Sequence, residues 1–148
     1  MLVLRRVLFR FVLLFCAATS VAAQKALRWG PAPNSLPPGA QMAVVRGDPT
    51  KPGRFVVRFR LPDGFTVPPH FHPVDEHVRV IRGEYGHGFG DKVDTTKLHW
   101  RHAGERVTLP AKSHHFAQAR GATETEVSGI GPFTVIYFGS GAAGGMAP

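Results

Sequence analysis

The sequence predicts an all-β fold, built as an antiparallel sandwich or barrel. Apolar and polar residues alternate with a period of two in several short segments, which is the pattern of strands with one buried face. Clusters of Gly, Pro and Asp separate these segments, and no long segment has the 3.6-residue period of a helix. About eight or nine short strands joined by turns are typical of sandwiches and barrels. A chain of 148 residues, 43% of them hydrophobic, is long enough for one such domain.

Residues 1–23 are predicted to be a secretory signal peptide. Three arginines near the start precede an apolar run from Phe11 to Ala18, and Val21 and Ala23 occupy the positions expected before a cleavage site. The apolar run is shorter than the roughly 20 residues that a membrane-spanning helix needs. We therefore expect an exported protein, periplasmic or secreted, with no membrane anchor after cleavage. An uncleaved anchor is the alternative.

The composition of the remaining chain limits its chemistry. The one cysteine, Cys16, lies in the predicted signal peptide, so the exported protein has no disulfide and no thiolate ligand. Cleavage would remove three of the 18 Lys and Arg residues and none of the 10 Asp and Glu residues, which leaves a net charge of +5. The basic residues are dispersed along the sequence, which predicts a solvated surface and no nucleic-acid partner.

The elements follow in order along the chain. Residues 24–39 are rich in Pro and Gly and predict an extended arm, and residues 140–148 predict a flexible tail. Residues 40–139 form the predicted domain, in which Asp94 is a plausible cap for a helical turn or loop up to Trp100. The predicted strands are Ala40–Gly47, Arg54–Leu61, Glu76–Gly83, Glu84–Gly90, Glu105–Pro110, His114–Arg120, Thr125–Gly131 and Phe133–Gly139.

Three side chains that can bind a metal lie close together in the sequence. His70 and His72 are separated by one residue, so in a strand both imidazoles point to the same side. Glu76 shares a face with two valines, where an ionised carboxylate would be costly to bury without a cation. Three ligands do not close a site, and a later segment offers His114 and His115 as candidates for a fourth.

These residues carry a resemblance to the cupin superfamily. The first motif of that family is Gly, five residues, His-x-His, three residues, Glu, six residues, Gly. It is matched without a gap by Gly64, His70, His72, Glu76 and Gly83. This match is specific because five residues must agree in type at fixed offsets.

The second motif of the family is matched less fully. Gly104, Pro110 and His115 agree with it, whereas Lys112 replaces a glycine and Ala119 replaces an asparagine. A lysine in place of glycine indicates a turn that either does not need a positive φ or adopts one at some strain.

The resemblance covers residues 40–139 and implies a double-sheet jelly roll. Within the superfamily, the sequence is similar to a set of small exported single-domain cupins. The ligands it implies are His70, His72, Glu76 and His115. His114 lies where many relatives have a turn proline, and we expect it to be exposed. The ligands would hold one divalent transition metal ion, and iron, manganese, zinc, nickel and copper all suit imidazole and carboxylate.

Two functions are open on this basis. As an enzyme, the protein would be a dioxygenase-like oxidoreductase or an isomerase acting on a small molecule, with Glu76 and His87 as candidate catalytic residues. As a binding module, it would hold a metal or a small ligand without turnover. A roomy pocket with a polar residue beside the metal would indicate an enzyme, and a closed or wholly apolar cavity would indicate a binding module. The resemblance also implies a homodimer.

The remaining histidines and aromatic residues are predicted to be structural. His77, His99 and His102 are expected at the surface, the last two in a loop around Trp100. Gly86 and Gly88 flank His87 and predict the close approach of a ligand or another backbone. The aromatic residues expected in the core or an interface are Tyr85, Phe89, Phe116, Phe133, Tyr137 and Phe138.

Overall fold

The computed structural model describes residues 26–138. The predicted signal peptide, 1–23, and the predicted tail, 140–148, lie outside the described residues. Within residues 26–138, no helix is long and apolar enough to cross a membrane.

Nine strands and one short 3-10 helix make up the described chain. All of the strand pairs are antiparallel, and no α-helix occurs within residues 26–138, which confirms the predicted fold class. The strands are β1 (Gly30–Pro31), β2 (Gln41–Arg46), β3 (Gly53–Leu61), β4 (Thr66–Phe71), β5 (Glu76–Phe89), β6 (His99–His102), β7 (Arg106–Leu109), β8 (His115–Gly131) and β9 (Ile136–Tyr137), with the 3-10 helix at Thr95–Lys97.

The two longest strands, β5 and β8, belong to both halves of the barrel. The second half of β8 pairs with β3, and beside it the first half of β5 pairs with β7. The first half of β8 pairs with β4, and beside it the second half of β5 pairs with β6. The register between β5 and β8 shifts twice between Val80 and Glu84, where β5 changes direction. This is the double-sheet jelly roll in which one face of each strand is enclosed.

The core lies on the alternate residues that the sequence pattern predicts. Phe55, Val57 and Leu61 of β3 are buried, whereas Arg58 and Arg60 lie on the outer face. On β8, Ala117, Ala119 and Val127 are buried in the same core cluster as these residues. Burial of these apolar side chains stabilises the barrel at about 25 cal/mol per Å².

Several predicted boundaries are wrong because strand pairing continues through glycines. The segments predicted as 76–83 and 84–90 form one strand, and so do those predicted as 114–120 and 125–131. Gly83 and Gly121 adopt positive φ values of 74° and 66° at these bends, which lets the chain turn without ending.

Three other differences concern the ends of the barrel. The loop predicted around Trp100 is instead strand β6, although His99 and His102 are exposed as expected. The strand predicted from Phe133 is reduced, within the described residues, to β9. Phe89, expected in the core or an interface, is 48% exposed, so it is not a core residue and its place in an interface stays a prediction. The predicted cap is confirmed, because Asp94 accepts a hydrogen bond from the backbone N–H of Thr96.

Gly86 and Gly88 make room for aromatic rings rather than for a ligand or a backbone. A Cβ on Gly86 would lie 3.0 Å from the Trp100 ring, and one on Gly88 would overlap the ring of Phe116, which is fully buried. The sequence therefore indicates the close approach but not the group that makes it.

We expect Gly88→Ala to destabilise the fold by about 1–3 kcal/mol, because a buried ring has no space into which it can retreat. Chemical denaturation at neutral pH measures the change. Gly30→Ala is the control, since no atom of the described residues lies within 4 Å of the added Cβ. Equal stability of both variants would show that Phe116 is not tightly packed.

Candidate metal centre

Strands β4, β5 and β8 bring the four predicted ligands to one place. His70 on β4 and His115 on β8 are directly paired, so their side chains leave the sheet on the same face. His72 follows β4 immediately, and Glu76 is the first residue of β5. All four side chains are buried, with exposed fractions between 1% and 8%.

The distances between the donor atoms fit a single ion. The ligand atoms of His70, His72 and His115 lie within 4.8 Å of one another, so these three residues can hold a metal. The Glu76 Oε2 atom lies 3.4 Å from Nε2 of His72 and 3.6 Å from Nε2 of His115. Two ligands that bind one ion at about 2.1 Å are about 3.0–3.4 Å apart when their bonds make angles of 90–109°.

Each imidazole is oriented by a backbone carbonyl. Nδ1 of His70 lies 2.7 Å from the carbonyl oxygen of Pro68, Nδ1 of His72 lies 2.7 Å from that of Thr134, and Nδ1 of His115 lies 2.8 Å from that of Ser113. A carbonyl oxygen can only accept, so each Nδ1 carries the proton and donates it. In the neutral ring, each Nε2 then has a free lone pair, as in histidines that bind metals.

Two of these Nε2 atoms are buried and have no hydrogen-bond partner within residues 26–138. They belong to His72 and His115, and both face the Glu76 carboxylate. Buried polar atoms in native proteins nearly always have partners, so each exception requires an explanation. Lone pairs that face a carboxylate repel it, and a positive charge between them, either a proton or a metal ion, removes that repulsion. The donor set therefore fits a divalent cation.

The electrostatics of the centre also favour a cation. Burial alone would raise the pKa of the Glu76 carboxyl, but hydrogen bonds and positive charge contributed by His115 and His72, as from a proton shared between these rings and the carboxylate, outweigh burial and hold this pKa below its usual range. Burial, together with the neighbouring His115 and His72, lowers the pKa of His70 to about 3. At neutral pH the centre therefore presents an ionised carboxylate and a neutral His70 imidazole.

Acid should destabilise the metal-free protein through His70. Between about pH 6.5 and pH 3 the unfolded chain binds a proton at this residue and the folded chain does not, so stability rises with pH across that window. We expect His70 to account for a loss of about 2 kcal/mol between pH 7 and pH 5. Urea unfolding of the metal-free protein at both pH values tests this, and the loss should shrink in His70→Gln. Equal stability at the two pH values would contradict the depressed pKa.

A small, mainly apolar cavity adjoins the centre. Its volume is about 60 Å³, and His70, His72 and Glu76 form part of its wall. At the roughly 30 Å³ that a water molecule occupies in the liquid, this volume corresponds to about two water molecules. The other residues of the wall are mostly apolar: Leu36, Phe59, Leu61, Val67, Tyr85, Ala117, Thr125, Val127, Phe133 and Val135.

Tyr85 and Thr125 are polar residues of this cavity that sequence reasoning did not identify. Tyr85 was predicted only to be a core or interface residue, and it is indeed buried. Burial and the charge of Glu76 raise the pKa of the Tyr85 hydroxyl well above its usual value, so the phenol remains protonated. The period-two pattern that places Tyr85 on the inner face was visible in the sequence. The sequence did not show that Tyr85 lies near Glu76.

His87 is buried but does not line the cavity. It is 3% exposed, its Nδ1 atom has no hydrogen-bond partner among the described residues, and its ring stacks 6.4 Å from that of Tyr85. Burial, with Arg101 and His99 nearby, lowers the pKa of His87 to about 4, so the ring is neutral at pH 7. A catalytic role for His87 stays a prediction.

His114 lies outside the centre, and His115 lies within it. The ring of His114 is exposed, its Nδ1 atom lies 2.6 Å from Asp91 Oδ1, and it packs 3.9 Å from the ring of Phe138. The structure therefore brings together the four residues of the predicted ligand set, and their binding of a metal stays a prediction.

The turn before His114 and His115 contains Lys112, which replaces a glycine of the second cupin motif. Lys112 has a φ of +61°, the only positive φ of a non-glycine residue in the range 26–138. Its N–H donates to the carbonyl oxygen of His72 over 2.7 Å, which ties the turn to the ligand segment. The sequence left open whether this turn avoids a positive φ or adopts one at some strain. Lys112 adopts the positive φ, at a cost of about 1–2 kcal/mol.

Comparison with known proteins relates this arrangement to solved structures. No protein-family model matches the chain, and no curated protein matches it in sequence. A candidate acetylacetone dioxygenase from Methylibium petroleiphilum is 15% identical, with a TM-score of 0.62 over 98% of this chain and 91% of that one. A cupin superfamily protein from Desulfitobacterium hafniense is 14% identical, with a TM-score of 0.52 over 62% and 77% of the two chains. An RmlC-like cupin from Shewanella frigidimarina is 16% identical, with a TM-score of 0.51 over 62% and 76%.

Proposed function

We propose that this protein, whose fold is that of the cupin superfamily, is an exported metal-dependent oxidoreductase that acts on a small molecule. The observation that carries the proposal is the convergence of three oriented imidazoles and one buried carboxylate beside a small, mainly apolar cavity whose wall also includes the polar residue Tyr85. Imidazole and carboxylate ligands that leave coordination positions open are the general pattern of non-haem iron oxygenases. The likeness to a candidate dioxygenase supports the cupin fold of the protein and suggests compounds to test.

A bound iron or manganese ion would supply Lewis-acid and redox chemistry to an oxygen-donor substrate. The protein's own residues bind and orient that substrate. Tyr85, whose hydroxyl stays protonated, lines the same cavity as Glu76 and can donate a hydrogen bond to a substrate oxygen. Thr125 offers a second hydroxyl on the same wall. The surrounding Leu, Val and Phe side chains exclude water, which strengthens each of these polar contacts.

The size of the cavity limits the substrate. A volume of about 60 Å³ is several-fold smaller than the roughly 300–1,000 Å³ of pockets for drug-sized ligands. The substrate is therefore a compound of a few non-hydrogen atoms, or the narrow end of a longer one. Small carbonyl, enol and carboxylate compounds meet both the size and the need for an oxygen donor.

Oxygen uptake by the metal-loaded protein tests the proposal. Iron- and manganese-loaded samples are incubated with carbonyl, enol and carboxylate compounds of three to seven non-hydrogen atoms, among them acetylacetone. We expect uptake with at least one compound, and a rate lowered at least tenfold in Tyr85→Phe. Uptake that is independent of the added metal would contradict the proposal.

The small cavity also favours a second function, a non-catalytic module that binds a metal or a small ligand. The two functions differ in turnover. Saturable ligand binding to the metal-loaded protein, measured by calorimetry, with no product after many equivalents of ligand, would identify the binding module. Multiple turnovers would identify the enzyme.

Export and dimerisation are further parts of the proposal. Export rests on the basic, apolar and small-residue pattern of residues 1–23. Expression of the full chain in a Gram-negative host, followed by intact mass measurement of the periplasmic protein, tests it. We expect the mass of a chain that begins at Gln24. An uncleaved chain found in the cytoplasm would contradict export. Sedimentation of the exported protein tests the homodimer.

A further inference from the structure

The barrel gathers dispersed arginines on one outer sheet face. The strands β3, β8, β5 and β7 lie side by side in this sheet, and directly paired residues leave it on the same side. The outer row that crosses all four strands consists of Arg58, Glu126, Arg79 and Arg106. The sequence separates these residues by up to 68 positions, so their proximity is visible only in the fold.

Two carboxylates on this face are already engaged. Glu126 accepts from Nε of Arg58 over 3.0 Å. Glu124 accepts from Arg60 over 3.2 Å and lies 3.8 Å from Arg82. The available negative charge of this face is therefore used by three of its arginines.

Arg79 and Arg106 have no such partner. They are directly opposite each other on β5 and β7, and among the described residues neither guanidinium forms an ion pair. Like charges that face each other across a strand pair destabilise a sheet. The Nε atom of Arg79 is, in addition, buried and has no hydrogen-bond partner in the part of the chain that the structure describes. The repulsion would be relieved by an anion placed between the two guanidinium groups.

A pocket lies at this position. Its volume is about 230 Å³, and its wall includes Arg79, Arg106, His77, Thr108 and Ser128. Nδ1 of His77 lies 2.9 Å from the Thr108 hydroxyl oxygen, which fixes two polar groups on one side of the pocket. The two arginines and two hydroxyl groups offer donors from three strands, and the volume is several times the roughly 30 Å³ that a water molecule occupies in the liquid.

We propose that this outer pocket binds a tetrahedral oxyanion, phosphate or sulfate, either free or as the terminal group of a larger molecule. Planar guanidinium groups match the oxygens of such anions with paired, charge-assisted hydrogen bonds. The pocket shares no residue with the cavity of the metal centre and lies on the opposite face of the sheet.

One residue of the pocket opposes the anion. Glu126 also forms part of the wall, and its negative charge is offset by Arg58. Arg79, Arg106 and Glu126 together give the wall a net positive charge, which still favours an anion. The opposition of Glu126 provides a test, because removing its charge should strengthen binding.

The first experiment titrates the full, metal-loaded protein with inorganic phosphate at constant ionic strength. The side-chain Nε–H resonance of Arg79 in a ¹H–¹⁵N correlation spectrum reports binding directly. We expect a saturable shift, an affinity lowered at least tenfold in Arg106→Gln, and a higher affinity in Glu126→Gln. Arg54→Gln is the matched control, since Arg54 lies on the same outer face but not in this pocket.

Two results would overturn the proposal. One is a shift that does not saturate. The other is an equal loss of affinity in Arg106→Gln and Arg54→Gln, which would indicate general attraction to a basic surface. Tripolyphosphate distinguishes the two sources of the anion. A neighbouring groove of about 540 Å³ has Arg54, His77 and Ser128 in its wall. If tripolyphosphate binds more tightly than phosphate, and both Arg106→Gln and Arg54→Gln lose this tighter binding, the ligand is a larger molecule that extends into the groove. Equal binding of the two anions assigns the free ion.

Discussion

Removal of the metal is expected to lower the melting temperature of the protein by at least about 10 °C. A ligand that binds only the folded state at a concentration 1,000 times its dissociation constant stabilises that state by about 4 kcal/mol. For a domain of this size, 1 kcal/mol corresponds to roughly 3–5 °C. The donor atoms that would supply this free energy are buried and oriented, and Nε2 of His72 and of His115 has no other partner among the described residues.

Melting curves with and without a chelator measure this effect. Re-addition of iron, manganese or zinc should restore the original melting temperature, and the ion that restores it most identifies the preferred metal. The His72→Ala variant provides the control, because chelator and metal should leave its melting temperature unchanged. Identical curves for the wild-type protein in both conditions would show that the fold does not depend on an ion.

The second large effect is expected from Glu76→Gln. An amide has nearly the shape of the carboxylate but lacks its charge, so the variant should fold while its metal affinity falls at least about 100-fold. Loss of the anionic ligand leaves three imidazoles, which bind a divalent ion without neutralising any of its charge. Oxygen uptake, where it is found, should fall in proportion to the metal content.

Competition with a metal-sensitive dye measures the affinity of this variant. Asp91→Asn is the matched control, because Asp91 is an exposed carboxylate that contacts His114 rather than the centre. Unchanged affinity in Glu76→Gln would remove the carboxylate from the ligand set. A loss in Asp91→Asn as large as that in Glu76→Gln would show that the assay responds to surface charge.

The fold class could be predicted from local periodicity, and the shared position of the four candidate ligands from the resemblance to the two cupin motifs. His70 and His72 face the same side through the two-residue repeat of a strand, and the motif spacing relates Glu76 and His115 to them. The choice between His114 and His115 follows the same rule, since Ala117 and Ala119 continue the inner face of β8.

What the sequence did not reveal depends on contacts between distant segments. Gly88 indicated close packing, but only the fold shows that the ring of Phe116 fills the space. Arg79 and Arg106 are 27 positions apart and become neighbours through the register of β5 and β7. The small volume of the cavity likewise results from side chains on many strands, and no local pattern predicts it.

The metal content of the purified protein tests the central claim most directly. Elemental analysis of the wild-type protein, His72→Ala and His114→Ala, all exported and purified in parallel, compares a buried ligand with an exposed neighbour of the centre. The proposed centre predicts about one transition metal ion per chain in the wild-type protein and in His114→Ala, and almost none in His72→Ala. Equal metal content in His72→Ala and the wild-type protein, or no metal in any sample even after incubation with divalent ions, would contradict it.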